Sequence, residues 1–198
     1  MKRLFSAILI TLLSGCMLLH QSHNRIAVGV ADNPITSKGV SFNVPPHGKW
    51  EMVRSGSNLQ MGMTTSQTHS HIVLLTYGEK KRMYHSSDEF LEGIKNTWEQ
   101  NIKDARYDID FSEAKLDSTF GAFCISLHRR YRDKGAVNRG NDGFLILEEY
   151  GYVLIHPDYP NEIIVVNYSE RFAPGEQTYM GIENRKALFN SFRIIRKN

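Results

Sequence analysis

The chain of 198 residues is 41% apolar, 11% aromatic and 23% charged, and its formal net charge is +3. This apolar content is sufficient for a buried core, which excludes an intrinsically disordered chain. The net charge is too small for the basic surface of a typical nucleic-acid-binding protein.

The first sixteen residues have the order of an export signal. Lys2 and Arg3 precede an apolar stretch from Leu4 to Leu13, and the run Leu12-Leu13-Ser14-Gly15-Cys16 follows without an Ala-x-Ala site. The apolar stretch is shorter than the roughly 20 residues that span a bilayer. The segment resembles a bacterial lipobox, in which signal peptidase II cuts before a cysteine whose sulfur carries diacylglycerol.

This resemblance favours a lipid anchor over a transmembrane helix or a conventionally cleaved signal. We predict a signal peptide over residues 1–15 and acylation of Cys16, since two or more acyl chains suffice for stable attachment. The next residue is Met17 rather than Asp. In lipoproteins of bacteria with two membranes this implies sorting to the outer membrane, where the protein would face the periplasm.

Residues 16–38 are predicted to be the lipidated cysteine and a flexible tether, because they show no clear helix or strand period. His20 and His23 lie in this segment. Two such residues without a second pair are weak evidence for a metal site, so we interpret them as polar tether residues. A single domain is then expected over residues 39–198.

Strand patterns open this domain. Val40, Phe42 and Val44 alternate with polar residues, and the turn Ser55-Gly56-Ser57-Asn58 separates two further apolar segments. The continuous apolar run from Ile72 to Tyr77 predicts a central strand covered on both faces.

One helix is well marked in the middle of the chain. Ser86 and Glu89 have the spacing of a capping box, which predicts a helix start. An apolar stripe follows at helical spacing and is interpreted as a surface packed on a sheet. Its residues are Phe90, Leu91, Ile94, Trp98 and Ile102.

The second half is predicted to be mostly strands, with turns at Asn141–Gly143 and Pro157–Asn161 and a final helix over Tyr179–Ser191. The strand segments are 107–112, 122–128, 144–147, 152–155 and 163–168. This order predicts an α+β fold, an α/β sandwich in which helices pack on a mainly antiparallel sheet of five to seven strands.

Several features together resemble the PsbP-like superfamily. They are the opening Val40-Ser-Phe-Asn-Val-Pro, Trp50 shortly after Pro46-His47-Gly48, the early helix, and the late helix ending Leu188-Phe-Asn-Ser-Phe192. That superfamily includes the extrinsic photosystem subunit, a Ran-binding nuclear protein and small DcrB-type bacterial lipoproteins. The resemblance covers about residues 38–198 and implies the same fold. It supplies no catalytic or metal-binding residue that can be placed on this chain.

His69 and His71 are the first candidates for chemistry. Residues i and i+2 of a strand share a face, so their two imidazoles could bind a divalent metal. Zinc sites use three or four ligands, and the spacing of the sequence identifies no third one. We therefore predict no metal site.

Cys124 is interpreted as a small buried residue that faces away from Phe123, Ile125 and Leu127. A nucleophilic pair with His128 is disfavoured, because four residues along a strand separate the two by more than a proton transfer allows. Asp108 and Asp110 share one strand face and are interpreted as solvated carboxylates rather than an acid–base pair.

A basic run continues into the glycine-rich segment Gly135–Gly143. Such a connection is longer than a usual hairpin loop, and long loops on rigid sheets often carry binding sites. Arginine with tyrosine suits an acidic protein surface, lipid phosphates or an anionic glycan. A solvated hairpin tip would have the same composition. The predicted partner-binding residues are Arg129, Arg130, Tyr131, Arg132, Lys134 and Arg139.

The sequence contains neither a Gly-x-Ser-x-Gly elbow nor a phosphate-binding loop. We predict a non-catalytic binding or accessory module for an envelope or membrane protein assembly. Its partners would be the lipid bilayer and an envelope protein, without a cofactor or nucleic acid. The alternatives are a carrier or sensor with a ligand pocket between sheet and helix, and a hydrolase with an unrecognised site. Oligomeric state is left open.

Overall fold

The computed structural model describes residues 25–100, 105–137, 142–176 and 178–197. The predicted signal peptide, the acylated Cys16, the pair His20 and His23, and Arg139 lie outside these residues. Their predictions therefore stay predictions.

The described residues form strands and two α-helices in an α+β arrangement, which confirms the predicted fold class. The strands are β1 (Ile26–Val28), β2 (Ile35–Ser37), β3 (Val40–Phe42), β4 (Trp50–Ser55), β5 (Asn58–Thr64), β6 (Ser70–Glu79), β7 (Tyr107–Leu116), β8 (Cys124–Asp133), β9 (Leu145–His156), β10 (Tyr159–Phe172) and β11 (Arg193–Ile194). The helices are α1 (Ser87–Gln100) and α2 (Tyr179–Ser191). No helix among these residues is both long and apolar enough to cross a membrane.

The strands form two antiparallel sheets. The larger is 8-stranded, in the order β1-β4-β5-β6-β10-β9-β8-β7, and the smaller has the order β11-β3-β2. The larger sheet exceeds the five to seven strands predicted. β10 pairs along most of its length with both β6 and β9, so it lies at the centre of the sheet.

The prediction of a tether up to residue 38 is wrong for two short segments. Residues Ile26 to Val28 form β1 and pair with β4 of the larger sheet. Ile35 to Ser37 form β2 and pair with β3. Strands of three residues are too short to display a readable period of two, which explains why the sequence pattern missed them.

Local turn chemistry sets the strand connections. β4 and β5 are joined at Gly56 and Ser57, where Gly56 has a φ of 59° that suits glycine. The predicted turn Pro157–Asn161 is shorter than expected, because Tyr159 already pairs with His156 in the ladder.

Both helices begin and pack as the sequence predicts. The Glu89 N–H donates to Ser86 Oγ at 3.1 Å, which caps α1. The described residues of its apolar stripe reach the core, where Phe90 and Trp98 are buried. α2 has the predicted bounds, and Thr178 caps it by accepting a hydrogen bond from Gly181 N–H at 3.2 Å.

The larger sheet has a core on each face. On the α1 face, Phe90 and Trp98 pack with Ile125, Tyr131 and Val165. The α2 face carries a second cluster, and the small sheet contributes to it. Members of this second cluster include Val40, Phe42, Trp50, Leu75, Cys124, Val166, Leu188 and Phe192.

Cys124 lies in the core of the α2 face, opposite Ile125, as its strand position predicts. It is 1% exposed, and burial raises the pKa of its thiol to about 12. Because the thiolate is the reactive form, we expect native Cys124 to react with iodoacetamide at least roughly a thousandfold more slowly than in urea. Mass spectrometry of timed samples at neutral pH would measure this. Rapid native labelling would contradict the buried position.

Candidate functional site

The predicted basic loop is partly a strand. Arg129, Arg130, Tyr131 and Arg132 all lie within β8, where side chains alternate between the two faces. Arg129 is 2% exposed and Tyr131 is fully buried. The prediction that these two residues belong to a partner-binding loop is therefore wrong, because their side chains point into the core beneath α1.

Arg129 and Tyr131 instead belong to a buried polar chain. The Arg129 guanidinium lies 3.8 Å from the Trp98 ring centroid and donates to the Tyr131 hydroxyl at 2.7 Å. That hydroxyl donates to Glu149 Oε2 at 2.9 Å. Burial raises the pKa of the Glu149 carboxyl, and the charge of Arg129 opposes that rise. Asp133 is buried beside this chain, where Arg106 and Arg171 pair with it at 2.6 and 3.1 Å.

Because Arg129 belongs to this buried hydrogen-bonded chain and Arg132 does not, the two arginines of β8 should contribute differently to stability. Arg129→Met should lower the free energy of unfolding by about 3 kcal/mol or more, because it leaves Glu149 buried without its cation. Arg132→Met should lower it by less than about 1 kcal/mol, because its partner Asp110 is exposed. Urea unfolding would measure both. Equal effects would contradict the assignment, and Glu149→Leu should restore much of the stability of Arg129→Met.

The outward side chains of this run are paired with the neighbouring strand. Arg132 Nε donates to Asp110 Oδ1 at 2.9 Å, and Lys134 Nζ lies 2.9 Å from Asp108 Oδ1. The hydrogen bond from Lys134 lowers the pKa of Asp108. Arg130 is half-buried. Partner contact by Arg130, Arg132 and Lys134 stays a prediction, while the aspartates are held in surface ion pairs.

A cleft of about 650 Å³ lies beside the connection that follows β8. Residues of the sheet, among them Leu145 of β9, line it together with Ala136 and Val137 of the β8–β9 connection. Val137 is 97% exposed. The charged residues of the lining are Arg25, Lys49, Glu51 and Arg171, so cations predominate.

A histidine–glutamate cluster on the α2 face of the sheet shares His71 with the lining of this cleft. His71 lies at the start of β6 and His69 directly precedes that strand. β10 places Glu170 directly opposite His71. One nitrogen from each imidazole and one carboxylate oxygen lie within 4.8 Å of one another, and all three residues are buried. His69 Nε2 hydrogen-bonds Glu170 Oε1 at 2.8 Å, and the two imidazole ring centroids are 4.7 Å apart.

His71 is the unusual member of this cluster. Its side chain is fully buried, and burial lowers its pKa to about 4, so the ring is neutral at neutral pH. Nδ1 hydrogen-bonds the Tyr168 hydroxyl at 2.9 Å. Nε2 has no hydrogen-bond partner among the described residues.

The structure thus brings together the predicted pair and supplies the third donor that the sequence reading lacked. Glu170 is 101 positions from His69, and only the pairing of β6 with β10 joins them. The signal in the sequence is an acidic residue inside an apolar strand pattern, Tyr168-Ser-Glu-Arg-Phe172. That pattern identifies Glu170 as a buried carboxylate only once the inward face of β10 is known.

A second histidine–glutamate pair lies on the same face of the sheet. His128 Nε2 is 3.0 Å from Glu148 Oε1, and the His128 ring stacks on Tyr150 with centroids 4.1 Å apart. The Arg185 guanidinium of α2 also lies over the Tyr150 ring, 3.6 Å from its centroid. His128, Tyr150 and Arg185 line a cleft of about 360 Å³ between the sheet and α2.

No family model matches the chain, and no curated protein is similar to it. Among solved structures, the chain is similar to cyanobacterial PsbP (CyanoP) from Synechocystis sp. PCC 6803, with 12% identity, a TM-score of 0.42, and coverage of 86% of this chain and 92% of that one. It is also similar to the Saccharomyces cerevisiae Ran-binding protein Mog1p, with 8% identity, a TM-score of 0.43, and coverage of 88% and 97%.

Proposed function

We propose that this chain is a lipid-anchored, non-catalytic binding module on the periplasmic face of the outer membrane, serving an envelope protein assembly. The observation that supports this function best is the cleft of about 650 Å³ beside the β8–β9 connection. It is open to solvent along an exposed apolar residue, Val137, as a docking surface for another chain would be.

The charges of the cleft favour an acidic protein segment as its occupant. Arg25, Lys49 and Arg171 line it with the acid Glu51. Arg25 pairs with Glu51 and Arg171 with Asp133, each at 3.1 Å, so Lys49 adds the further positive charge. Complementary charge raises association rates and selects among partners. Arg25 is also the first described residue, so the cleft lies where the chain leads back toward the predicted acylated cysteine.

Site-specific crosslinking tests this function. With a photo-crosslinking residue in place of Val137, we expect one dominant protein adduct in intact cells. The same residue in place of Met83 is the matched control, because Met83 is also apolar and 66% exposed but does not line the cleft. Lys49→Glu should reduce the Val137 adduct several-fold, since it reverses a charge of the cleft. Equal adducts at Val137 and Met83 would contradict a specific surface.

The anchor has a separate test. Growth with a radiolabelled or clickable palmitate should label the wild-type chain, and Cys16→Ser should abolish the label, because Cys16 would carry the acyl chains. Membrane fractionation should then move the variant out of the outer-membrane fraction. An unlabelled wild-type chain would overturn the lipoprotein assignment without bearing on the cleft.

A second candidate function is a carrier or sensor of a small ligand. The observation that favours it is the cleft of about 360 Å³ between the sheet and α2, where Arg185 and His128 flank the Tyr150 ring. A cation beside a stacked aromatic pair suits a planar anionic ligand. Crosslinking separates the two candidates, since a carrier gives no dominant adduct at Val137.

A further inference from the structure

We propose that His69, His71 and Glu170 form a binding site for one divalent first-row transition-metal ion, with zinc as the representative ion. The proposal does not rest on the proposed function. Glu170 and Arg171 lie on opposite faces of β10, and His71 is the one of the three residues that also lines the docking cleft.

The donor set has the composition of a known class of metal site. Two neutral imidazoles and a carboxylate bind zinc in proteins, with a further position for water. Donor atoms around a tetrahedral zinc ion lie about 3.3 Å apart, as follows from metal–ligand distances of about 2.0–2.1 Å. The three donors here already lie within 4.8 Å of one another. Small side-chain rotations would bring them to the ion.

The second ring nitrogen of His71 is held as a metal-ligating histidine requires. Such a ligand usually hydrogen-bonds through its other nitrogen, which fixes the tautomer and the ring orientation. His71 Nδ1 makes this bond to the Tyr168 hydroxyl at 2.9 Å. Burial keeps that phenol in its neutral form by raising its pKa. With a proton on Nδ1, Nε2 presents a lone pair.

That lone pair needs a partner. A buried polar atom without a hydrogen bond costs about 1–3 kcal/mol, and such atoms are rare in folded proteins. His71 Nε2 has none among the described residues. A metal ion bonded to Nε2 and to Glu170 would satisfy the nitrogen and neutralise the carboxylate in one step.

The carboxylate is held in place by close packing. A Cβ atom at Gly181 of α2 would lie 2.1 Å from Glu170 Oε2, so a larger residue there would displace this carboxylate. Thr178 Oγ1 also lies 3.5 Å from Glu170 Oε1. A rigid carboxylate loses little conformational entropy when it binds an ion.

The test uses the full chain, purified in detergent, treated with EDTA and desalted. After incubation with zinc chloride and a second desalting step, elemental analysis should find about one zinc ion per chain. The melting temperature should rise by several degrees at about a hundredfold excess of zinc over its Kd. Cobalt chloride should give visible d–d absorption.

Three variants assign the ion to this site. His71→Phe and Glu170→Gln should each reduce zinc retention at least about tenfold, since each removes one donor. His128→Gln is the matched control, because it breaks a similar histidine–glutamate pair on the same face but leaves all three donors. It should retain zinc as the wild type does.

The outcomes are distinct. Failure of the wild-type chain to retain zinc and to show the cobalt absorption would overturn the proposal. Undiminished zinc in Glu170→Gln, or equal loss in His128→Gln, would also overturn it. Circular dichroism of each variant shows whether it folds, and Glu170→Gln decides the result if His71→Phe does not fold.

Discussion

The register of β10 is the constraint on which the rest of the structure depends. This strand of 14 residues pairs with β6 on one side and β9 on the other. Because side chains alternate between faces, Tyr168 and Glu170 point to α2 while Arg171 points to the opposite face. A slip of one residue would exchange Glu170 and Arg171. It would place a cation beside the histidines and remove one of the two arginine partners of Asp133.

Ionic groups are buried on both faces of this sheet, and their interactions differ between the two faces. On the α1 face, Arg129 is covered by Trp98 and connected to Glu149 through Tyr131. The charge of Arg129 is there satisfied by an aromatic ring and by hydrogen bonds from within the protein, as in a structural network. The cluster of His69, His71 and Glu170 leaves one ring nitrogen unbonded among the described residues. Trp98 Nε1 and the Tyr107 hydroxyl on the α1 face also lack a hydrogen-bond partner among the described residues. What distinguishes the cluster is therefore its three converging donor atoms rather than one unbonded nitrogen.

Features set by neighbouring residues were predictable from the sequence, whereas features set by strand pairing were not. The capping residue Ser86 and the bounds of α2 follow from local chemistry. Glu170 comes close to His69 only across 101 positions of chain. Arg129 and Tyr131 were assigned to a loop because of their charge and polarity, yet the alternation begun by Ile125 and Leu127 continues through them and turns them inward.

The sheet also places two carboxylates side by side, since Glu148 of β9 is the register partner of Glu170 on β10. Both are buried, at 5% and 4% exposure. Like charges directly opposite each other destabilise a strand pair, and the repulsion grows as water is excluded. Hydrogen bonds from Tyr150 and His128 stabilise the Glu148 carboxylate. Glu170 has His69 at 2.8 Å but no arginine or lysine ion pair among the described residues. A divalent cation at Glu170 would offset both carboxylates, so the same β10 register that gathers the three donors also creates the local negative charge that favours an ion there.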